Sequence, residues 1–149
     1  MAIFNGMKII FLDFDGVIAP LSFHHSSGFS ASACANVQSI LVKDPNVRLV
    51  VSSAWRRWGL EKIREILKEN GIDSTKVIGL TEAAGGFMPE NRAAQINTWL
   101  KDHPEVKKFV ALDDYPLPKL GDNYVKINGY VGFTQKDAEI VLRIFSEDK

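Results

Sequence analysis

The sequence predicts an α/β protein, a three-layer α/β/α arrangement around a central parallel sheet of five strands, and three observations carry that reading. Five short runs rich in β-branched and aromatic residues recur along the chain. Segments with a helical apolar period lie between them, and the 149 residues have the size of one domain. Apolar runs without polar alternation are what strands buried on both faces show, as in parallel sheets.

The first run is Lys8 to Phe14 (KIIFLDF), ended by the turn signal Asp15-Gly16. Residues 18–32 follow as an irregular segment, long for a connection in a compact domain, and are expected to form a flap over a site. Val37, Ile40 and Leu41 make the first helical stripe, closed by Asp44-Pro45. Val47 to Ser52 (VRLVVS) is the second run. The stripe Leu60, Ile63 and Leu67 then leads to Asn70-Gly71, a helix stop. Lys76 to Gly79 reads as a short third strand, and in the irregular stretch 81–89 Gly85-Gly86 relieve backbone strain. Ala93, Ile96, Trp99 and Leu100 form the third stripe, stopped by Pro104, with Trp99 in the core and His103 a favourable cation at the helix end. Lys107 to Leu112 (KKFVAL) is the fourth run. After the irregular segment 115–121 a weaker fifth spans Asn123 to Ile127, and the last helix shows Ala138, Val141, Leu142 and Phe145 behind Thr134, whose hydroxyl is suited to cap it. Strands and helices alternating in this way place helices on both faces of the sheet. With no repeat or linker to divide it, the chain is expected to be one domain over residues 1–149.

Composition narrows the function classes. An apolar fraction of 46% and a charged fraction of 24% are those of an ordinary soluble protein. Eighteen basic residues balance eighteen acidic ones, so no global field draws the protein to nucleic acid, a membrane or an acidic partner, although local patches remain open. The one cysteine, Cys34, leaves no internal disulfide and no multi-cysteine zinc site, fits a reducing compartment, and is expected to pack as a small apolar residue. Met1 to Phe14 is apolar but short and interrupted by Asn5, Gly6 and Lys8, unlike a signal peptide or a membrane span, so a cytoplasmic protein without membrane contact is expected.

In an open parallel sheet, ligands bind beyond the carboxyl ends of the strands. Those ends carry Asp13 and Asp15 after the first run, Ser52 and Ser53 after the second, and Asp113 and Asp114 after the fourth. Four carboxylates would then meet in one place. Like charges this close either take up protons or bind a cation. With oxygen donors only, and no His or Cys at the strand ends, magnesium fits better than zinc.

The string Phe11-Leu12-Asp13-Phe14-Asp15-Gly16-Val17 resembles the first motif of the haloacid dehalogenase-like (HAD) superfamily, in which hydrophobic residues precede D-x-D-G. Leu49-Val50-Val51-Ser52 resembles its second motif and Val110-Ala111-Leu112-Asp113-Asp114 its acidic fourth, while Gly132-Phe133-Thr134 leads into the last helix as in many small HAD phosphatases. The likeness runs from Lys8 to about Phe145. It implies a Rossmann-like fold and, because no segment is long enough for one, no separate cap domain. For the third motif, a Lys or Arg before the fourth strand, Arg92 is favoured over Lys76 and Lys101.

The resemblance further implies a magnesium-dependent phosphomonoester hydrolase. Asp13 would be the nucleophile that forms an aspartyl-phosphate and Asp15 the general acid and base. Ser52 would bind a phosphoryl oxygen, and Arg92 would offset charge in the transition state. Asp13, the backbone carbonyl of Asp15, and the acid pair would hold Mg²⁺, with either Asp113 or Asp114 bound directly and the other supporting it from behind. An Asp two residues after the nucleophile points to a phosphatase or phosphomutase, not a dehalogenase or transport ATPase, and the mutases of the superfamily generally carry a helical cap domain, for which no segment here fits. An uncapped site suits bulky substrates. Ala54-Trp55-Arg56-Arg57-Trp58 alternates cations with aromatic rings, so Trp55 and Arg56, with Gly16 and Ser53, are assigned to substrate binding on a nucleotide or nucleic-acid-end phosphate. His24 and His25, in the flap, could touch substrate. Two rival classes are a non-catalytic or regulatory module that keeps the metal pocket, and a phosphoaspartate receiver domain, which the D-x-D-G string and the downstream acid pair disfavour.

Overall fold

A computed structural model describes residues 6–23 and 28–147 of the chain, without the side chain of Phe23. Five strands, β1 (Lys8–Leu12), β2 (Val47–Val51), β3 (Val77–Leu80), β4 (Lys108–Asp113) and β5 (Tyr124–Lys126), form one parallel sheet in the order β3-β2-β1-β4-β5. Four α-helices, α1 (Ala31–Lys43), α2 (Leu60–Glu69), α3 (Arg92–Lys101) and α4 (Gln135–Ser146), complete a three-layer α/β/α fold. The predicted fold class stands. No helix among the described residues is long and apolar enough to cross a membrane.

The layers follow from the strand order. From β1 the chain moves outward to β2 and β3, so right-handed crossovers put α1 and α2 on one face. It then returns past β1 to β4, and the same handedness sends α3 to the opposite face. Alternate residues of the strands feed two cores accordingly. Ile10, Leu12, Leu49, Val51, Val110 and Leu112 pack with α1, α2 and α4, whereas Ile9, Phe11, Val50 and Ala111 pack with Ala93, Ile96 and Trp99 of α3. Most of these side chains are fully buried, each contributing about 1.5–3 kcal/mol through removal from water. Trp99 meets Phe11 edge to face at 5.6 Å and stacks on His103 at 3.6 Å; a ring nitrogen of His103 sits 2.7 Å from the Trp99 carbonyl.

The caps are local and sequence-encoded. Ser30 accepts from the Ala33 amide to start α1. Thr134 and Asp137 form a reciprocal capping box at α4. Cys34 is buried in α1, and burial pushes its thiol up to about 11.

Boundaries depart from the sequence reading where side chains compete with strand pairing. Lys76 belongs to a 3₁₀ turn, Ser74–Lys76, because the Asp73 carboxylate accepts from the Thr75 amide and hydroxyl, so β3 begins only at Val77. Two further 3₁₀ turns, Ala54–Trp58 and Pro118–Asn123, occupy stretches read as irregular or left undecided. Of the expected flap, residues 31–32 lie in α1 and residues 24–27, with His24 and His25, are outside the described residues. Its described part is tied down: the Leu21 amide donates to the Gly129 carbonyl at 2.8 Å, and the Ser22 hydroxyl to the Tyr130 carbonyl at 2.6 Å.

Candidate active site

Parallel pairing in register fixes what meets at the carboxyl edge of the sheet. Leu12 stands level with Val51 on one side and Leu112 on the other. One rung further, the Asp13 amide donates to the Leu112 carbonyl at 3.2 Å, the Ser52 amide to Leu12 at 3.0 Å and the Thr81 amide to Val51 at 3.0 Å. Asp13, Ser52 and Asp113 therefore share a rung. They also share the pleat parity of Phe11, Val50 and Ala111, which is the α3 side of the sheet. This is the point where the strand order reverses, the usual site of ligand crevices in open α/β sheets.

Arg92, the first residue of α3, enters from that side. Its Nη1 donates to Asp13 Oδ2 at 3.1 Å and to the two oxygens of Asp113 at 3.0 and 2.9 Å. The Phe14 amide donates to Asp13 Oδ1 at 2.9 Å and the Tyr115 amide to Asp113 Oδ1 at 3.0 Å. Asp13, Asp113 and Arg92 are all buried; Asp114 is half-buried.

Two of these carboxylates share one guanidinium, and Asp114 lies beside them. One oxygen from each of Asp13, Asp113 and Asp114 lies within 4.8 Å of the others. Burial, and then the Asp113 charge, hold the Asp13 carboxyl well above the usual carboxylate range despite Arg92. Burial and Asp113 raise Asp114 in the same way. Burial alone would pull the Arg92 guanidinium down, but Asp13 and Asp113 outweigh it and keep it charged. The donors are hard oxygens in excess of cations, a set that suits a divalent metal.

Asp114 fits into a cradle that two glycines leave open. A Cβ on Gly16 would come within 2.3 Å of Asp114 Oδ2, and one on Gly129 within 2.6 Å. Gly16 also needs a φ of +83°, in the left-handed region, to turn the chain after Asp15. Asp15 itself is exposed, and the Trp55 indole N–H donates to both its oxygens at 3.1 and 3.2 Å. Openings flank the acids on two sides. One, of about 480 Å³, lies beside Asp15 and Trp55; the other, of about 510 Å³, lies beside Asp114 and Tyr130.

Of the residues singled out in sequence, Asp13, Arg92, Asp113 and Asp114 come together directly. Ser52 is buried on their rung. Ser53 is buried too, but its hydroxyl accepts from the Trp55 amide and so caps the 3₁₀ turn. Arg56 is turned inward: its guanidinium donates to the Ser52 carbonyl and to Gln95 Oε1, while Arg57 and Trp58 face outward. Burial, then the nearby Arg92 charge, lower the Arg56 guanidinium, and Asp13 opposes them.

Two contributors escaped the sequence reading. Gln95 holds Arg56 and donates to the carbonyls of Ala84 and Gly86 at 2.9 and 2.8 Å, fastening the 84–86 loop to α3. Its signal was a polar residue inside the apolar stripe, three positions after Arg92. Thr81, buried at the end of β3, has a hydroxyl without a partner among the described residues; its place after an apolar run matches that of Ser52.

A family model described as "HAD domain in Swiss Army Knife RNA repair proteins" matches residues 9–138, a span that contains every residue of this site. No curated protein and no solved structure matches the chain.

Proposed function

The chain belongs to the family of HAD domains found in Swiss Army Knife RNA repair proteins, and on that premise we propose that it hydrolyses phosphomonoesters, on nucleotides or nucleic-acid ends, through an aspartyl-phosphate on Asp13. The observation that carries the reading is the convergence of Asp13, Asp113, Asp114 and Arg92 at the switch point of the sheet.

In this mechanism an Asp13 oxygen forms a bond to phosphorus while the bond to the ester oxygen breaks. The leaving oxygen takes a proton from Asp15, which later accepts one from the water that cleaves the aspartyl-phosphate. The exposed Asp15 carboxylate can meet both partners, and the Trp55 indole fixes its direction. Arg92 is suited to offset charge on the phosphoryl oxygens, and the Ser52 hydroxyl to donate to one of them. The expected Mg²⁺ would be held by Asp13, Asp113, Asp114 and the backbone carbonyl of Asp15. When bound, it would neutralise the carboxylates and polarise the phosphate.

Release of phosphate from p-nitrophenyl phosphate tests the reading, with magnesium, with EDTA, and in Asp13→Asn. Turnover that needs the metal and vanishes in the variant is expected. Metal binding without turnover would assign the chain to a non-catalytic module instead.

A further inference from the structure

The opening beside Asp15 is walled by Trp55, Arg57, Trp58, Lys62 and Ile66. Its two tryptophans differ sharply. Trp55 is anchored, with ring centroids 5.6 Å from Phe14 and 5.4 Å from Phe29. Trp58 leaves 62% of its surface in water. A lone exposed apolar residue is ordinary, but this one lines a pocket together with two cations, Arg57 and Lys62. Arg57 lies over the Phe87 ring at 5.7 Å. Among the described residues Lys62 pairs with Glu65 alone, at 3.4 Å, an exposed pair that constrains it little. Lys62 and Ile66 are one turn apart on α2 and share a face, and Trp58 ends the 3₁₀ turn that leads into this helix.

Among the described residues that line the pocket, Asp15 is the one acid, and it is already bonded to Trp55. An exposed aromatic face with cations in the same pocket is the chemistry that takes a stacked base and its flanking phosphates. Resting on the phosphatase reading above, the geometry points to a groove for a single-stranded polynucleotide end. The nucleotide bearing the reacting phosphate lies beside Asp15 and Trp55, the neighbouring base stacks on Trp58, and Arg57 and Lys62 meet the backbone phosphates. Arg56, turned inward, takes no part in this contact.

The test compares kcat/KM for a phosphorylated mononucleotide and for phosphorylated single-stranded oligoribonucleotides and oligodeoxyribonucleotides of increasing length. Wild type, Trp58→Ala, Trp58→Phe, Lys62→Gln and Lys43→Gln are used, the last removing a charge at the far end of α1. Oligonucleotides are expected to exceed the mononucleotide by about tenfold, the effect of one stacked base. That ratio should fall to near unity in Trp58→Ala, persist in Trp58→Phe and Lys43→Gln, and shrink in Lys62→Gln. Equal rates for all lengths in wild type, or a length preference that survives Trp58→Ala, overturns the groove. A gain of the same size on a phosphopeptide, lost with Trp58, replaces the strand by a polypeptide and overturns it too.

Absence of turnover on every substrate defeats the phosphatase reading instead, and the groove is then judged by fluorescence anisotropy of a labelled oligoribonucleotide. Trp58→Ala should weaken binding about tenfold. Lys62→Gln should flatten the dependence of log K on log salt by about 0.7, one phosphate contact. Binding unaffected by either substitution, with the thermal melt unchanged, would sink the proposal.

Discussion

Arg92 Nη1 bridges carboxylates from two strands, at 3.1 Å from Asp13 and 2.9 Å from Asp113. It is the one cation bonded to the acid cluster among the described residues, and it is buried with them. Arg92→Met should lower the stability of the metal-free protein by about 3–5 kcal/mol, the usual cost of breaking a buried pair. Turnover should fall by roughly 10²–10³, as when a transition-state donor is lost. Arg92→Lys should recover part of the stability and part of the rate, since one nitrogen makes every contact to the two acids and an ammonium carries three donors. Urea melts and kcat measured on the same variants separate the two effects.

The acid cluster sets the sign of the pH response. Because Asp13 and Asp114 bind protons more tightly when folded than when unfolded, the native state carries more protons between the ordinary carboxylate value and the raised ones, and stability falls as pH rises through that window. In EDTA, the Tm should therefore climb as pH is lowered from neutral to about 5. Magnesium, which favours the ionised form, should flatten the trend, and Asp13→Asn should weaken it. Scanning calorimetry across pH checks this; stability rising with pH over the same range in EDTA would contradict it.

Gly129→Ala probes the Asp114 cradle. The new methyl would sit 2.6 Å from Asp114 Oδ2 at a position with no left-handed backbone, so Asp114 must move while the fold is spared. Magnesium affinity by titration calorimetry should drop about 10- to 100-fold, the range for displaced metal-site supports. Gly16→Ala meets the same carboxylate at 2.3 Å and adds left-handed strain, so it should also cost about 1–2 kcal/mol of folding stability.

Gln95→Leu tests the anchoring of Arg56. Its loss leaves the buried guanidinium bonded to the Ser52 carbonyl alone and frees the carbonyls of Ala84 and Gly86. Denaturation should report a loss of about 1–3 kcal/mol, and limited proteolysis should cut first in the 84–86 loop. Gln95→Glu keeps the acceptor for Arg56, so it should retain most of the stability while still loosening the loop.

Much of this architecture is written in local pattern. The runs around Ile9–Leu12, Leu49–Val51 and Val110–Leu112 announce buried parallel strands, and an acid directly after such a run must lie at the carboxyl edge. D-x-D-G and the Asp113-Asp114 pair were legible for that reason, and so was the HAD resemblance that the family match bears out. Arg92 was legible from its place before β4. What stayed hidden depends on rotation within short turns. In Ala54–Trp58 the tight 3₁₀ winding turns Arg56 into the protein and leaves Trp58 outside, an outcome that alternation of charge and ring cannot announce. Gln95 acts through a partner thirty-nine positions away, a distance over which no periodic signal extends.

The placement of β1 between β2 and β4 has a consequence for biosynthesis. Asp13 leaves the ribosome before the guanidinium and the carboxylate that surround it, which arrive with α3 and β4, and the β1–β4 pairing joins Lys8 to Lys108. During synthesis Asp13 thus stays without Arg92 and Asp113 until α3 and β4 have followed it, and such distant pairing is slow to form. The acid cluster is completed only when the central strand pair closes.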